Sequence, residues 1–187
     1  MLERPVILNR APSLHKFSIM SFKPSITDGK AIKIPPLVVK GFNADFDGDT
    51  MTVHVPVLPD AVEEAKRMLP SNNLYNPGTG QIMMQPQNEA ALGLYLMSRD
   101  PKLAGKINAE LPESMRAKFG ATELNKKGLR ELTNELAETM PRDYGKVLDK
   151  LKALGDEHTY RTGFTVSMKD LVPNIPGRNE IVDRTRK

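Results

Sequence analysis

The sequence contains no cysteine and no tryptophan. Without thiols there is no disulfide, no thiolate zinc site and no cysteine nucleophile, and the only imidazoles are those of His15, His54 and His158. Aromatic residues make up 5% of the chain, so extensive stacking on nucleic-acid bases is not expected. No apolar run reaches the roughly 18 residues that could cross a bilayer. The start, Met1-Leu2-Glu3-Arg4-Pro5, lacks the apolar segment of a secretory signal. These absences lead us to expect a cytoplasmic protein without membrane contact. With 27% charged and 39% hydrophobic residues over 187 positions, the chain has the composition of an ordinary globular protein. Its formal net charge of +4 modestly favours a polyanionic partner.

The most informative stretch is Asn43-Ala44-Asp45-Phe46-Asp47-Gly48-Asp49, which sets carboxylates at alternate positions across a glycine. Side chains two apart share one face of an extended chain, and the glycine lets the backbone bend so that Asp45, Asp47 and Asp49 converge. Carboxylates at that density repel one another unless a hard divalent cation sits among them. Mg²⁺ is the usual ion when phosphates complete its shell.

Around this stretch, residues 4 to 57 read as β-rich. Short apolar or alternating runs at 6–8, 17–22, 32–34, 37–39 and 51–55 are punctuated by proline and glycine. Pro35-Pro36 between two of them favours short, kinked strands, so we expect a small irregular barrel that closes on itself. From Pro59 the pattern turns helical. Residues 60–69 carry acids early and Lys66 and Arg67 late, with Pro70 as a stop; 71–80 read as a loop, and 88–99 place Ala91, Leu92, Tyr95 and Leu96 on one face. A helical pair follows. In the first helix Thr122 is the expected N-cap, Leu129, Leu132, Leu136 and Met140 form the stripe, and Pro141 is the stop. In the second, the stripe runs from Tyr144 to Leu154 with Gly155 as the expected C-cap. Residues 160–166 read as a strand, followed by a turn through Ser167 to Pro173 and a charged end.

The acidic stretch admits several chemistries. An EF-hand loop fails in both registers: starting at Asp45 puts Thr50 at the glycine position and Pro56 at the closing glutamate, while starting at Asn43 closes on His54. Asp45-Phe46-Asp47-Gly48 also resembles the motif of haloacid-dehalogenase-like Mg²⁺-dependent phosphatases, with an aspartate nucleophile. Asp49 stands where that motif has threonine. A solvated acidic turn would leave Phe42 and Phe46 unexplained.

A longer comparison carries further. Arg4 to Lys16, Gly29-Lys30-Ala31-Ile32, and Phe42 to Asp49 followed by Met51 and Val53-His54-Val55-Pro56 closely resemble, in order and spacing, the catalytic region of the largest (β′) subunit of multisubunit DNA-dependent RNA polymerases. The likeness continues through Ser71-Asn72-Asn73 and Gly93-Leu94-Tyr95 and returns weakly from Thr162-Gly163, with 100–157 as a shortened, divergent segment. The resemblance implies an α+β chain: part of a double-psi β-barrel with a metal-binding loop over 1–58, flanking helices over 59–99, the divergent helical segment over 100–157, and a strand and tail over 158–187. It implies that Asp45, Asp47 and Asp49 hold catalytic Mg²⁺ for two-metal nucleotidyl transfer, and that Arg10 and Asn43 meet the ribose of the incoming nucleotide. The implied partners are a β-like subunit, the remainder of β′, template DNA, the RNA 3′ end and nucleoside triphosphates, in a bacterial or phage-infected cell. Polymerisation is therefore expected only in a larger assembly. Other readings stay open for two residues: Arg10 as an ion-pair or phosphate residue, and Asn43 as a cap of the turn bearing the aspartates. His15 and His54 are expected to be structural hydrogen-bonders. Thr50 stands where bacterial members carry glutamine, which points to a divergent, viral or split polymerase.

Overall fold

The computed structural model describes residues 4–171 and 175–186. It is mixed α/β, with a small antiparallel sheet packed beside a larger helical body. Strand β1 (Val6–Asn9) lies centrally, with β2 (Ile19–Phe22) on one side and β3 (Thr52–His54) on the other. The register sets Val6 opposite Phe22, Ile7 opposite both Ser21 and His54, and Asn9 opposite Thr52. Leu8, Phe17, Met20, Val38 and Phe42 are buried together beneath it.

The expected closed barrel is not what the described residues form: their sheet has three strands and stays open. Residues 32–34 adopt no regular structure, and 37–39 are helical. Proline accounts for the second difference. Pro35 and Pro36 have no amide hydrogen for a ladder, whereas a fixed φ near −65° suits the start of a helix. Pro36–Val38 accordingly form a 3₁₀ turn that runs into α1 (Val39–Phe42), burying Leu37 and Val38. Burial overrides the β-preference of Val38 and Val39.

Helix α2 (Pro59–Arg67) forms as the charge pattern indicates, with Asp60 in its first turn and Lys66 and Arg67 in its last. Beyond a loop bridged by Tyr75 and Ile82, α3 (Asn88–Arg99) follows. Two further helices, α4 (Pro101–Glu110) and α5 (Glu113–Phe119), precede the expected pair. Helix α4 starts where the Asp100 carboxylate accepts from the Lys102 amide and Pro101 takes the first helical position. Helix α6 (Lys126–Thr139) begins later than expected. Asn125 caps it by accepting from the Lys127 and Gly128 amides, while the Thr122 hydroxyl donates back to the Lys118 carbonyl.

Helix α7 (Tyr144–Thr162) runs through Gly155 to Gly163, whose φ of 70° ends it. The first three residues of the expected strand at 160–166 are thus helical, and 163–167 have no regular structure. The expected turn ends at Pro173, outside the described residues; α8 (Ile175–Thr185) follows. Gly155 is needed for close approach. A Cβ there would lie 2.2 Å from the Ala90 carbonyl oxygen, and one on Gly93 would lie 1.9 Å from the Gly155 carbonyl oxygen. The α3 and α7 backbones therefore touch at glycine.

The helical core is built from Leu94 and Met97 of α3, Ile107 of α4, Met115 and Phe119 of α5, Leu132 and Leu136 of α6, and Tyr144, Leu148 and Leu151 of α7. Met84 packs against this core and against the sheet cluster, joining the two. The Tyr144 hydroxyl donates to the Met84 carbonyl, and burial raises its pKa. Tyr144→Phe leaves that carbonyl without its donor and is expected to cost about 1–2 kcal/mol in denaturant unfolding of the chain. An unchanged midpoint would show that the bond contributes nothing.

Candidate metal centre

The acidic loop is held at both ends. At its entry, α1 stops on Asn43, which adopts the left-handed conformation (φ 50°, ψ 43°) that asparagine tolerates better than other side-chain-bearing residues. The Asn43 amide donates to the Lys40 carbonyl and the Ala44 amide to the Val39 carbonyl, each at 3.1 Å. At its exit the chain enters β3, and between them Gly48 takes a φ of 126°. Phe42 is buried in the sheet core whereas Phe46 is 73% exposed, so the loop projects from a fixed base.

Asp45, Asp47 and Asp49, all exposed residues, each bring a carboxylate oxygen to within 4.8 Å of the others. The three are not equivalent. Asp49 accepts from Arg10 Nε at 2.8 Å, from Arg10 Nη2 at 3.2 Å and from the Asp45 amide at 3.1 Å. Those donors, Arg10 first, hold its carboxyl below the usual range, and the same pairing raises the Arg10 guanidinium. Asp45 moves the other way. Its hydrogen bond with Asp47, its partial desolvation and the charges of Asp47 and Asp49 all favour its protonated form. Three carboxylates that converge in this way could serve as oxygen donors to a hard divalent ion, and the residues present fit Mg²⁺.

Strand pairing explains how Arg10 arrives. With Asn9 opposite Thr52, Arg10 lies just past the end of β1 beside the residues that precede β3, although 39 positions separate it from Asp49. Asn43 sits two residues before the triad as the cap of α1; its side chain is exposed and has no hydrogen bond among the described residues. Of the residues read from sequence, Arg10, Asp45, Asp47 and Asp49 are brought together. The structural expectation for His15 holds, since its Nδ1 accepts from the Phe17 amide at 3.2 Å. His54 lies in β3, paired with Ile7.

Beside the triad lies a cleft of about 520 Å³ between residues 30–34 and the acidic loop, lined by Lys30, Ile32, Ile34, Phe46, Thr50 and Met51 along with Asp45 and Asp49. No local pattern in the sequence places Lys30 beside the acidic loop. The phosphatase alternative loses its structural context here. The aspartates follow a single helical turn, and the neighbouring sheet is antiparallel, whereas that motif belongs at the end of a strand in an alternating α/β fold.

Comparison with known proteins agrees with this correction. Residues 2–70 match the family model described as RNA polymerase Rpb1, domain 2. The β′ subunit of DNA-directed RNA polymerase from a Nitratiruptor species is 44% identical over 222 residues, covering 94% of this chain and 15% of that protein. The β′ subunit of Methylobacillus flagellatus is 48% identical over 119 residues, 62% of this chain and 8% of the relative. That of a Parafrankia species is 32% identical over 242 residues, 97% of this chain and 19% of the relative. The chain thus spans between 8% and 19% of the length of these relatives. The two longest alignments exceed the 187 residues of the chain, so those relatives carry additional residues within the matched region. With the acidic loop, its preceding block and most of the remaining chain matched, this protein belongs to the family of the β′ subunit of DNA-directed RNA polymerase.

Proposed function

We propose that this chain forms the catalytic-centre portion of a β′-like RNA polymerase subunit, active with a β-like subunit and the remainder of β′ on template DNA, the RNA 3′ end and nucleoside triphosphates. The observation that carries the reading is the convergence of Asp45, Asp47 and Asp49 on one exposed, doubly anchored loop. Their carboxylates would hold Mg²⁺. When bound, Mg²⁺ supplies positive charge at the transferring phosphate and acidifies the attacking hydroxyl. The work of the chain is to hold and orient: α1 and β3 fix the loop, the Asp45 amide fixes the Asp49 carboxylate, and Phe46 and Met51 wall the adjoining cleft. Arg10 and Asn43 are proposed to meet the ribose, where a guanidinium fork and a carboxamide can bond sugar hydroxyls.

The three-stranded sheet is proposed to be part of a double-psi β-barrel. In support, β3 is exposed along its whole length, and Val53, Val55, Val57 and Leu58 beside its outer edge are each at least 49% exposed, a surface that further chain would cover. No helix among the described residues is long and apolar enough to cross a membrane. The site of action is proposed to be the cytoplasm of a bacterial or phage-infected cell.

Affinity purification of the full chain from its native cells is expected to recover large partner chains, and the recovered assembly should extend an RNA primer on a DNA template with Mg²⁺ and stop on chelation. Recovery of the chain alone, or an assembly inert in extension, would sink the proposal.

A further inference from the structure

The Arg10–Asp49 pair has a geometry that bears on how the centre loads. Both Asp49 oxygens are engaged by one guanidinium fork, and the Asp45 amide takes a further bond to Oδ2. A carboxylate oxygen has about two acceptor sites. Oδ2 is therefore filled, by Arg10 and the Asp45 amide, and only Oδ1 keeps a free site beside a fixed positive charge. Among the described residues, neither Asp45 nor Asp47 forms an ion pair.

We infer that Arg10 is a resident counter-ion of the metal centre, competing with a divalent cation for Asp49 and released to a ligand oxygen when the cation binds. The inference rests on the metal-centre reading above and deepens it by making Arg10 a positioning residue that links the two occupants of the site. Without a cation, the guanidinium offsets part of the repulsion among the carboxylates and keeps the loop converged. A divalent cation placed among the same oxygens brings like charge against the guanidinium and weakens the fork. The freed donors then face an oxygen-rich ligand such as a sugar hydroxyl. Coupling of this kind is reciprocal: whatever engages Arg10 elsewhere raises cation affinity at the triad.

The test uses the full chain and Mn²⁺ alone as the probe, with free Mn²⁺ read by electron paramagnetic resonance. Arg10→Gln is expected to bind Mn²⁺ about tenfold more tightly than the parent, the equivalent of removing one competing charge-assisted pair. Arg10→Lys keeps the charge without the fork and should show a smaller gain. In the unsubstituted chain, phenylglyoxal modification of Arg10, followed by mass spectrometry, should be several-fold faster with saturating Mn²⁺; this needs no variant to fold. If the parent binds Mn²⁺ and Arg10→Gln binds it equally or more weakly, or if Mn²⁺ leaves the modification rate unchanged, the counter-ion role is overturned and the metal centre stands. If the parent does not bind Mn²⁺, or Asp47→Ala binds it as tightly as the parent, the metal centre itself is overturned.

Discussion

Asp47→Ala should lower RNA extension by the assembled polymerase on the order of 10³-fold, the scale seen when one electrostatic contact to a reacting phosphate or oxyanion is lost. Asp47 is the best of the three aspartates for this measurement. Asp49 is bonded to Arg10 and to the Asp45 amide, so removing it would also release the loop. Asp45 supplies that amide from its own backbone and lines the cleft. Asp47 is exposed and forms no ion pair among the described residues, so alanine there should leave the loop, the sheet and subunit assembly unchanged. Asp47→Asn is the isosteric companion: it keeps the shape, removes the charge, and is expected to be nearly as inactive. Extension at the parent rate by either variant, in an assembly of unchanged subunit composition, would remove Asp47 from the catalytic centre.

The second large effect is on stability. Gly93→Ala gains helix propensity worth about 1 kcal/mol, but its Cβ would meet the Gly155 carbonyl carbon at 2.6 Å and oxygen at 1.9 Å. Neither partner can rotate away, because both are backbone atoms of a helix. The α3 and α7 axes must separate, loosening the packing around Leu94, Leu148 and Leu151. Overpacking of this kind costs about 1–3 kcal/mol and occasionally more, so net destabilisation of roughly 2 kcal/mol is expected, and more for Gly93→Val. The control lies on the same helical body. Gly105 in α4 and Gly145 in α7 have open space where a Cβ would go. Alanine at either should stabilise the chain by roughly 0.5–1 kcal/mol. Equal unfolding midpoints for Gly93→Ala and Gly145→Ala would show that the crossing is not as tight as these distances require.

Much of the chain announces its local structure because local chemistry decides it. Helix α2 reads from Asp60, Lys66, Arg67 and Pro70; the ends of α3 and the stripe of α6 read from residues only a few positions apart. The acidic loop is legible for the same reason: its carboxylates are spaced by one residue, and Gly48 marks the bend. Where local signals compete, the reading misses. Thr122 and Asn125 are both competent caps, but Asn125 caps α6 while the Thr122 hydroxyl donates to the Lys118 carbonyl. Residues 37–39 carry strand-forming side chains but belong to a helical turn, since Pro36 can start a helix and the turn sends Leu37 into the helical core and Val38 into the sheet core.

By itself, then, the sequence determined the stripes of α6 and α7, the charge-marked helix ends, the convergence of Asp45, Asp47 and Asp49, and the kinship of its longest motif block, whereas α3 buries Ala90, Gly93, Leu94 and Met97 instead of the face read from Ala91, Leu92, Tyr95 and Leu96. Each depends on covalent spacing, which the chain cannot alter by folding. The tertiary structure decided that Gly155 passes under α3 instead of ending α7, that Lys30 faces the acidic cleft, and that Arg10 reaches Asp49. These contacts join residues far apart in the chain. Their geometry follows from strand register and helix crossing, where close packing leaves room for one arrangement and a local pattern of residues carries no trace of it.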